Sequence, residues 1–395
     1  MKRRLLAAPR LKRWMLAGLI ALVLAGALML ARQSDVLRRA ADFTIGYSAA
    51  RLWLSGHPDA VYDQRRLGPM MTKVSGGAID PSLPYAQPFL ALTPVLPLAL
   101  LPLDLAYRLW QLSSLLLFLG GLYLLQRAQP LDARAPAWGF LALLASVPAW
   151  STLAEGQTTP LLLLGAALLV WSLRSGALVP AALGGMLLAT KPQYIPAYLL
   201  LLLFLRRKRL LGAAAAGAAV MSLSPLIAGG LEGARAYLQV LMTTHGLAEG
   251  RLIETWSGFL GSFLPAGSRA GAALALTVLI IAMAGLAAWL FLWRRQVNQA
   301  IAVAGLLGVL ASPYAFPHDL VLLAIPAWFG FVLTREGRVG SPLWALALTD
   351  LALLADAGGA PVAIAPLVLT AALAWAVVDF RRRAAARLPG LAPAA

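Results

Sequence analysis

Residues 193–229 read QYIPAYLLLLLFLRRKRLLGAAAAGAAVMSLSPLIAG. Two apolar runs, 193–205 and 210–229, meet at Arg206-Arg207-Lys208-Arg209. Neither run alternates apolar and polar residues as the strands of a membrane barrel do. Each instead suits a hydrophobic helix, and the four bases between them suit a turn held on the cytoplasmic side of a membrane. This unit, an apolar run closed by a short charged or Gly/Pro-rich join, recurs along the chain. Further candidate spans are 14–31, 107–125, 137–151, 159–173, 177–190, 271–293, 299–312, 319–334, 342–356 and 360–380. The expected fold is an all-α integral membrane protein, a polytopic bundle of about 10–13 transmembrane helices forming a single membrane domain over 1–395. Lys191-Pro192 interrupts 177–205, which could therefore be one broken helix. The run Phe89 to Leu103 is cut by Pro94, Pro97 and Pro102 and is expected to be re-entrant or interfacial.

Bulk composition agrees. The chain is 60% hydrophobic and only 12% charged, whereas soluble domains carry about 25% charged residues. Its mean hydropathy is +0.77. The first apolar segment, Trp14 to Ala31, is long for a signal peptide and no small-residue cleavage site follows it, so it reads as an anchor. The absence of cysteine excludes disulfides, thiolate metal sites and cysteine nucleophiles.

A net charge of +17 raises the question of nucleic acid. Placement of the charge answers it. With the N-terminus cytoplasmic, alternating spans put most of the bases inside, including Lys2-Arg3-Arg4, Arg206-Arg207-Lys208-Arg209, Arg294-Arg295 and Arg381-Arg382-Arg383. Only Asp132, Glu336 and Asp379 among the acids fall with them. This is the positive-inside pattern, and no nucleic-acid partner is needed to explain the basicity. Two large loops, 32–106 and 230–270, then lie outside, and long loops in helical bundles tend to carry function. His57, His245, His318, Glu155-Gly156-Gln157 and Lys191-Pro192 share that face.

The first outer loop contains ADFTIGYSAARLWLSGHP, residues 41–58. Phe43, Tyr47, Ala50 and Leu54 recur at helical spacing, with Ser48, Arg51 and Ser55 on another face. An amphipathic helix along the membrane surface is expected, stopped by Gly56 and Pro58. Asp42 suits its N-cap. It equally suits a general base at the water–lipid boundary, and a carboxylate bound to amide hydrogens would be the weaker base. Glu155-Gly156-Gln157 suits a tight turn. Lys191, near membrane depth, must either snorkel or meet an anion such as phosphate. In Ser312-Pro-Tyr-Ala-Phe-Pro-His318-Asp319 the prolines impose a non-helical turn. Asp319 suits a cap there, and His318 could bind phosphate or move a proton. No Gly-rich nucleotide loop, Walker-type lysine or DxD pair is present, and the histidines are too scattered to define a metal site. No cofactor is expected.

Taken in order, these pieces resemble family 87 glycosyltransferases, membrane enzymes of the GT-C class that use polyprenyl-phosphate-linked sugars, typically mannose. The resemblance is carried by Asp42-Phe43 with Tyr47, Ala49-Ala50-Arg51 and Gly56…Pro58…Tyr62-Asp63; by Tyr85-Ala-Gln87-Pro88-Phe89 with Pro94-Val-Leu-Pro97; and by Leu109-Trp110, Gly156-Gln157, Lys191-Pro192 and Ser312-Pro313…His318. It implies a GT-C fold, with Asp42 as the catalytic aspartate that deprotonates an acceptor hydroxyl. The oxygen then attacks the anomeric carbon in one inverting displacement. It further implies Lys191 and His318 at the donor phosphate, and Tyr47, Tyr85, Gln87, Gln157 and Asp319 near sugar or acceptor. Many members carry a second histidine after the one matching His318, and here that position is Asp319. The implied partners are a polyprenyl-phosphate-linked sugar, a lipid or glycan acceptor and membrane lipids. The implied place is the cytoplasmic membrane of a bacterium, with both termini inside and the site outside. Nucleotide sugars are confined to the cytoplasm, so an outward-facing enzyme without a nucleotide motif needs a lipid-linked donor. The run 89–103 and the helix 43–55 are expected to frame a groove for the lipid tail.

The main rival is a multi-pass transporter or flippase, which would place polar groups at the bilayer midplane, often in repeated halves. No convincing repeat is present. A ligase or polymerase of lipid-linked glycans would share the outward-facing logic, but favours larger arginine clusters than loop 230–270 offers.

Overall fold

The computed structural model describes residues 9–130, 135–247, 253–261, 263, 277–283, 285–286, 289, 296–358 and 364–387. The basic clusters Lys2-Arg3-Arg4 and Arg294-Arg295, Asp132, and parts of the expected span 271–293 and of the loop 230–270 lie outside the described residues. Among the described residues all regular structure is helical. In chain order the helices are α1 (Pro9–Ala31), α2 (Asp35–Arg39), α3 (Phe43–Leu54), α4 (Gln64–Ser75), α5 (Leu103–Ala128), α6 (Ala135–Leu144), α7 (Val147–Glu155), α8 (Thr159–Ser175) and α9 (Leu178–Leu188). There follow α10 (Ile195–Phe204), α11 (Lys208–Leu223), α12 (Pro225–Leu247), α13 (Trp256–Gly261), α14 (Val297–Leu310), α15 (Ala324–Arg335), α16 (Leu343–Ala357) and α17 (Ala365–Arg387).

Among the described residues two helical stretches are long and apolar enough to cross a membrane: Leu103–Ala128, and Pro317–Arg335, which joins a 3-10 turn to α15. A third, α11 with the first part of α12, is bent by 65° at its break. The apolar helices Thr159–Ser175, Leu178–Leu188, Pro192–Phe204 and Val297–Leu310 are shorter, at 10–17 residues. Prolines mark the starts of several of these shorter helices. Pro148, Pro160, Pro192, Pro196 and Pro225 each stand at or just inside a helix start, where the missing N–H costs no helical bond. The stretch 177–205 is indeed broken, into α9 and α10. The helix α5 turns Leu105, Leu109, Leu112 and Leu116 outward, an apolar stripe suited to lipid rather than water.

The buried apolar residues form two clusters. The larger joins α8, α9, α10, α14 and α15. Within it α9 touches its neighbours backbone to backbone. A Cβ on Gly185 would collide with the Ala214 carbonyl, and one on Gly217 with the Ala182 carbonyl. Small residues permit this approach, as in membrane helix pairs generally.

The second cluster is formed mainly by residues 41–99 and the start of α5. Here the structure corrects the expectation for residues 43–55. Instead of lying along a surface, α3 is enclosed: Thr44, Ser48, Ala49 and Ala50 are fully buried, and Arg51 and Leu54 are exposed. The neighbouring α4 is the strongly two-faced helix, with Leu67 and Met71 inward and Arg65, Arg66 and Lys73 outward. The proline-cut run from Phe89 forms two 3-10 turns, Phe89–Leu92 and Leu98–Leu100, and does not continue as a helix.

Candidate active site

The two clusters meet at a pocket of about 140 Å³. Asp42 stands at the N-terminal edge of α3. The first amides of that helix are already satisfied by backbone: Thr44 N–H donates to the Ala41 carbonyl at 2.9 Å and Ile45 N–H to the Asp42 carbonyl at 3.1 Å. The Asp42 side chain makes no capping bond. Its Oδ2 instead accepts from Gln157 Nε2. Burial pushes the Asp42 carboxyl above the ordinary aspartate range, and the nearby Glu155 carboxylate raises it further. His318, Lys191 and the Gln157 amide oppose the rise without cancelling it.

Gln157 is held by a tight turn. Helix α7 stops at Gly156, whose φ of +63° is open to glycine and strained for other residues. A Cβ there would also lie 2.7 Å from the Phe43 Cβ. Trp110 Nε1 donates to the Gly156 carbonyl at 2.7 Å, and the indole stacks on Phe43. The turn therefore fixes Gln157 on one side and Glu155 on the other.

Lys191 is placed by its neighbour. A residue before proline is driven to extended backbone, and Lys191 has φ −128° and ψ 92°. The break between α9 and α10 thus points its side chain into the pocket. Lys191 Nζ lies 2.5 Å from Asp319 Oδ1, and both side chains are buried. Asp319 also accepts from Thr159 Oγ1 at 3.1 Å and from Phe316 N–H at 3.3 Å. It is thus both cap and counter-ion, and stands behind Lys191 rather than on the pocket wall. His318 Nδ1 sits 2.6 Å from Glu155 Oε2, and the ring stacks on Phe316. The His318 carbonyl accepts from Thr152 Oγ1 at 2.8 Å, which ties α7 to this turn.

Of the residues expected at the site, Asp42, Tyr85, Gln87, Gln157, Lys191 and His318 line the pocket. The buried Tyr85 hydroxyl has no hydrogen-bond partner among the described residues and is free to donate to a ligand. Gln87 Nε2 donates to Thr158 Oγ1 at 2.9 Å. Tyr47 lies elsewhere: its hydroxyl donates to the Leu101 carbonyl at 2.6 Å, and it lines a separate groove with Arg51 and Lys73. Thr158, Tyr314 and Phe316 also line the wall, and no periodicity marks them in the sequence.

Ligand atoms of Asp42, Glu155 and His318 all lie within 4.8 Å of one another. Neighbouring ligands on a small divalent ion at about 2.1 Å stand roughly 3 Å apart. The 2.6 Å between His318 and Glu155 is closer than that. Glu155 and His318 are paired at that distance beside the Asp42 carboxylate, and a divalent ion would need them to part.

A model of glycosyltransferase family 87 matches residues 85–313, more than half of the chain. The chain belongs to glycosyltransferase family 87. No curated protein and no solved structure matches it. As a family 87 glycosyltransferase it acts on a sugar donor and an acceptor. The matched stretch includes Tyr85, Gln87, Gln157 and Lys191; Asp42, Tyr47, His318 and Asp319 lie beyond its ends.

Proposed function

We propose that this glycosyltransferase moves a hexose, with mannose the first candidate, from a polyprenyl-phosphate donor to an acceptor hydroxyl on the non-cytoplasmic face of a bacterial cytoplasmic membrane. Asp42 takes the hydroxyl proton. The acceptor oxygen forms its bond to the anomeric carbon as the bond to the phosphate oxygen breaks, with inversion. Polyprenyl phosphate leaves with the bonding pair. The observation that carries this reading is the single pocket with Asp42 on one wall and Lys191 and His318 also lining it. A base and two cationic groups facing one small cavity suit a displacement in which a proton is lost at one end and negative charge develops at the other. Each cation is oriented by its own carboxylate, Asp319 or Glu155, so little reorganisation is needed as charge forms. The Tyr85 hydroxyl and the Gln87 and Gln157 side chains are placed to meet sugar hydroxyls. A GT-C bundle of about 10–13 crossings, short helices stacked end to end, is part of the same reading. Since α3 is enclosed, the lipid tail is assigned to the run from Phe89 and the start of α5, where Leu100 and Leu105 are exposed.

The test is transfer in membranes from labelled polyprenyl-phosphate mannose, comparing the native protein with Asp42→Asn. Transfer by the native protein alone supports the reading. Equal transfer by both removes Asp42 as the base, and transfer from a nucleotide sugar in place of the lipid-linked one removes the donor assignment.

A further inference from the structure

Glu155 occupies a position that local physics disfavours. It is the last residue of α7, where the helix dipole opposes a negative side chain. Both of its oxygens are nevertheless held. Ser151 Oγ donates to Oε1 at 2.9 Å, and His318 Nδ1 lies 2.6 Å from Oε2. Burial works against its charge, but His318 and the Ser151 hydroxyl outweigh burial and keep Glu155 below the ordinary glutamate range. A locally unfavourable group that is fixed from two sides is the kind of conflict that functional sites retain.

The geometry points to Glu155 as a positioning residue that strengthens Asp42 as a base and orients His318 beside it. This inference rests on Asp42 being the base. One turn delivers two opposed groups to that aspartate. Gln157 holds Oδ2 by an amide, while the Glu155 carboxylate approaches to within 4.8 Å. A second negative charge at such range raises the proton affinity of the first. The other charged and titratable groups facing this pair are His318 and Asp319 from the 3-10 turn, Lys191 from the break after α9, and Tyr107 from α5. Lys191 is paired to Asp319 at 2.5 Å and Glu155 to His318 at 2.6 Å, so the charges that oppose one another at Asp42 are each partly offset by a partner. The ion pair with His318 keeps that ring against the pocket wall.

The experiment is the pH dependence of kcat/KM for transfer from polyprenyl-phosphate mannose, in membranes carrying the full chain as Glu155→Gln, Glu155→Asp, Glu155→Ser or Asp42→Asn. With Glu155→Gln the acid limb should move down by about one pH unit, as expected for removing a like charge at this distance. At neutral pH kcat should fall roughly 3- to 10-fold, with KM for the donor changed less than about twofold. Glu155→Asp should restore the native limb. The position of a limb does not depend on the folded fraction, and Glu155→Ser must move it in the same direction. An unmoved limb with an inactive Asp42→Asn overturns the inference and leaves the base reading standing. Native transfer by Asp42→Asn overturns both. Native transfer abolished by chelator and restored by manganese would make the three groups a cation site and overturn the inference as well.

Discussion

Asp42 and Asp319 both stand at the start of helical turns and do opposite things. Asp319, in the first turn of the 3-10 segment Pro317–Leu323, is wholly buried, caps the Phe316 amide and neutralises Lys191. Asp42, at the edge of α3, caps nothing, because carbonyls of the chain already satisfy the amides it would serve. Among the described residues it accepts a side-chain hydrogen bond from Gln157, and a second carboxylate stands nearby. Asp42 stands at the N-cap position and Asp319 at the third residue of its segment, and a carboxylate at either place can serve the first amides of a helix. What separates them is whether the lone pairs are already committed, which leaves one aspartate structural and the other available for chemistry.

The comparison breaks most sharply at Asp42. Asp42→Asn is expected to lower transfer by about 10²- to 10⁴-fold while leaving thermal unfolding in detergent almost unchanged, since no cap is lost. A clear fall in unfolding temperature would mean that it serves the helix after all. Because the active form is the carboxylate and its proton affinity is raised, native kcat/KM should fall as pH drops through a value above the ordinary aspartate range, about 3.9. A limb at or below that value would contradict the placement of Asp42 beside Glu155.

At the other aspartate the expected order reverses. Lys191→Met strands Asp319 as a buried charge and should cost about 3–5 kcal/mol of stability. Adding Asp319→Asn should recover most of that loss but none of the transfer, measured by thermal unfolding and by labelled-sugar transfer on the same preparations. Gly156→Ala comes next. A Cβ 2.7 Å from Phe43, on backbone with φ of +63°, should cost about 1–3 kcal/mol and loosen Gln157 from Asp42, so kcat should fall more than donor affinity. The smallest effect belongs to Tyr47→Phe. It loses one bond to Leu101, about 1 kcal/mol, and transfer should stay within about twofold of native because Tyr47 does not line the pocket.

What the sequence discloses follows from the range over which each feature is encoded. The start of α3 after Asp42 and its stop at Gly56 are local, and both were legible from residue type and spacing. So was the break at Lys191-Pro192, which proline imposes on its neighbour. The family resemblance implies Asp42, Tyr85, Gln157, Lys191 and His318 at one site, and all five line one pocket. Enclosure of α3 was not legible, because its amphipathic spacing is the same whether its polar side meets water or other chain. Nor was the pairing of Glu155 with His318, which lie far apart in sequence. Glu155 was visible only as the first letter of a turn. The charge conflict at the end of α7 becomes a signal once the helix boundary is known.

The backbone-to-backbone seating of α9 has a consequence for how this enzyme tolerates change. Contacts made through side chains can be retuned by swapping one for another. Gly185 and Gly217 leave no such adjustment, since any added atom displaces a whole helix. The segment that ends at Lys191 is therefore indexed to its neighbours like a key in a slot. A side chain added at Gly185 would be read out six residues on, as a displaced Lys191.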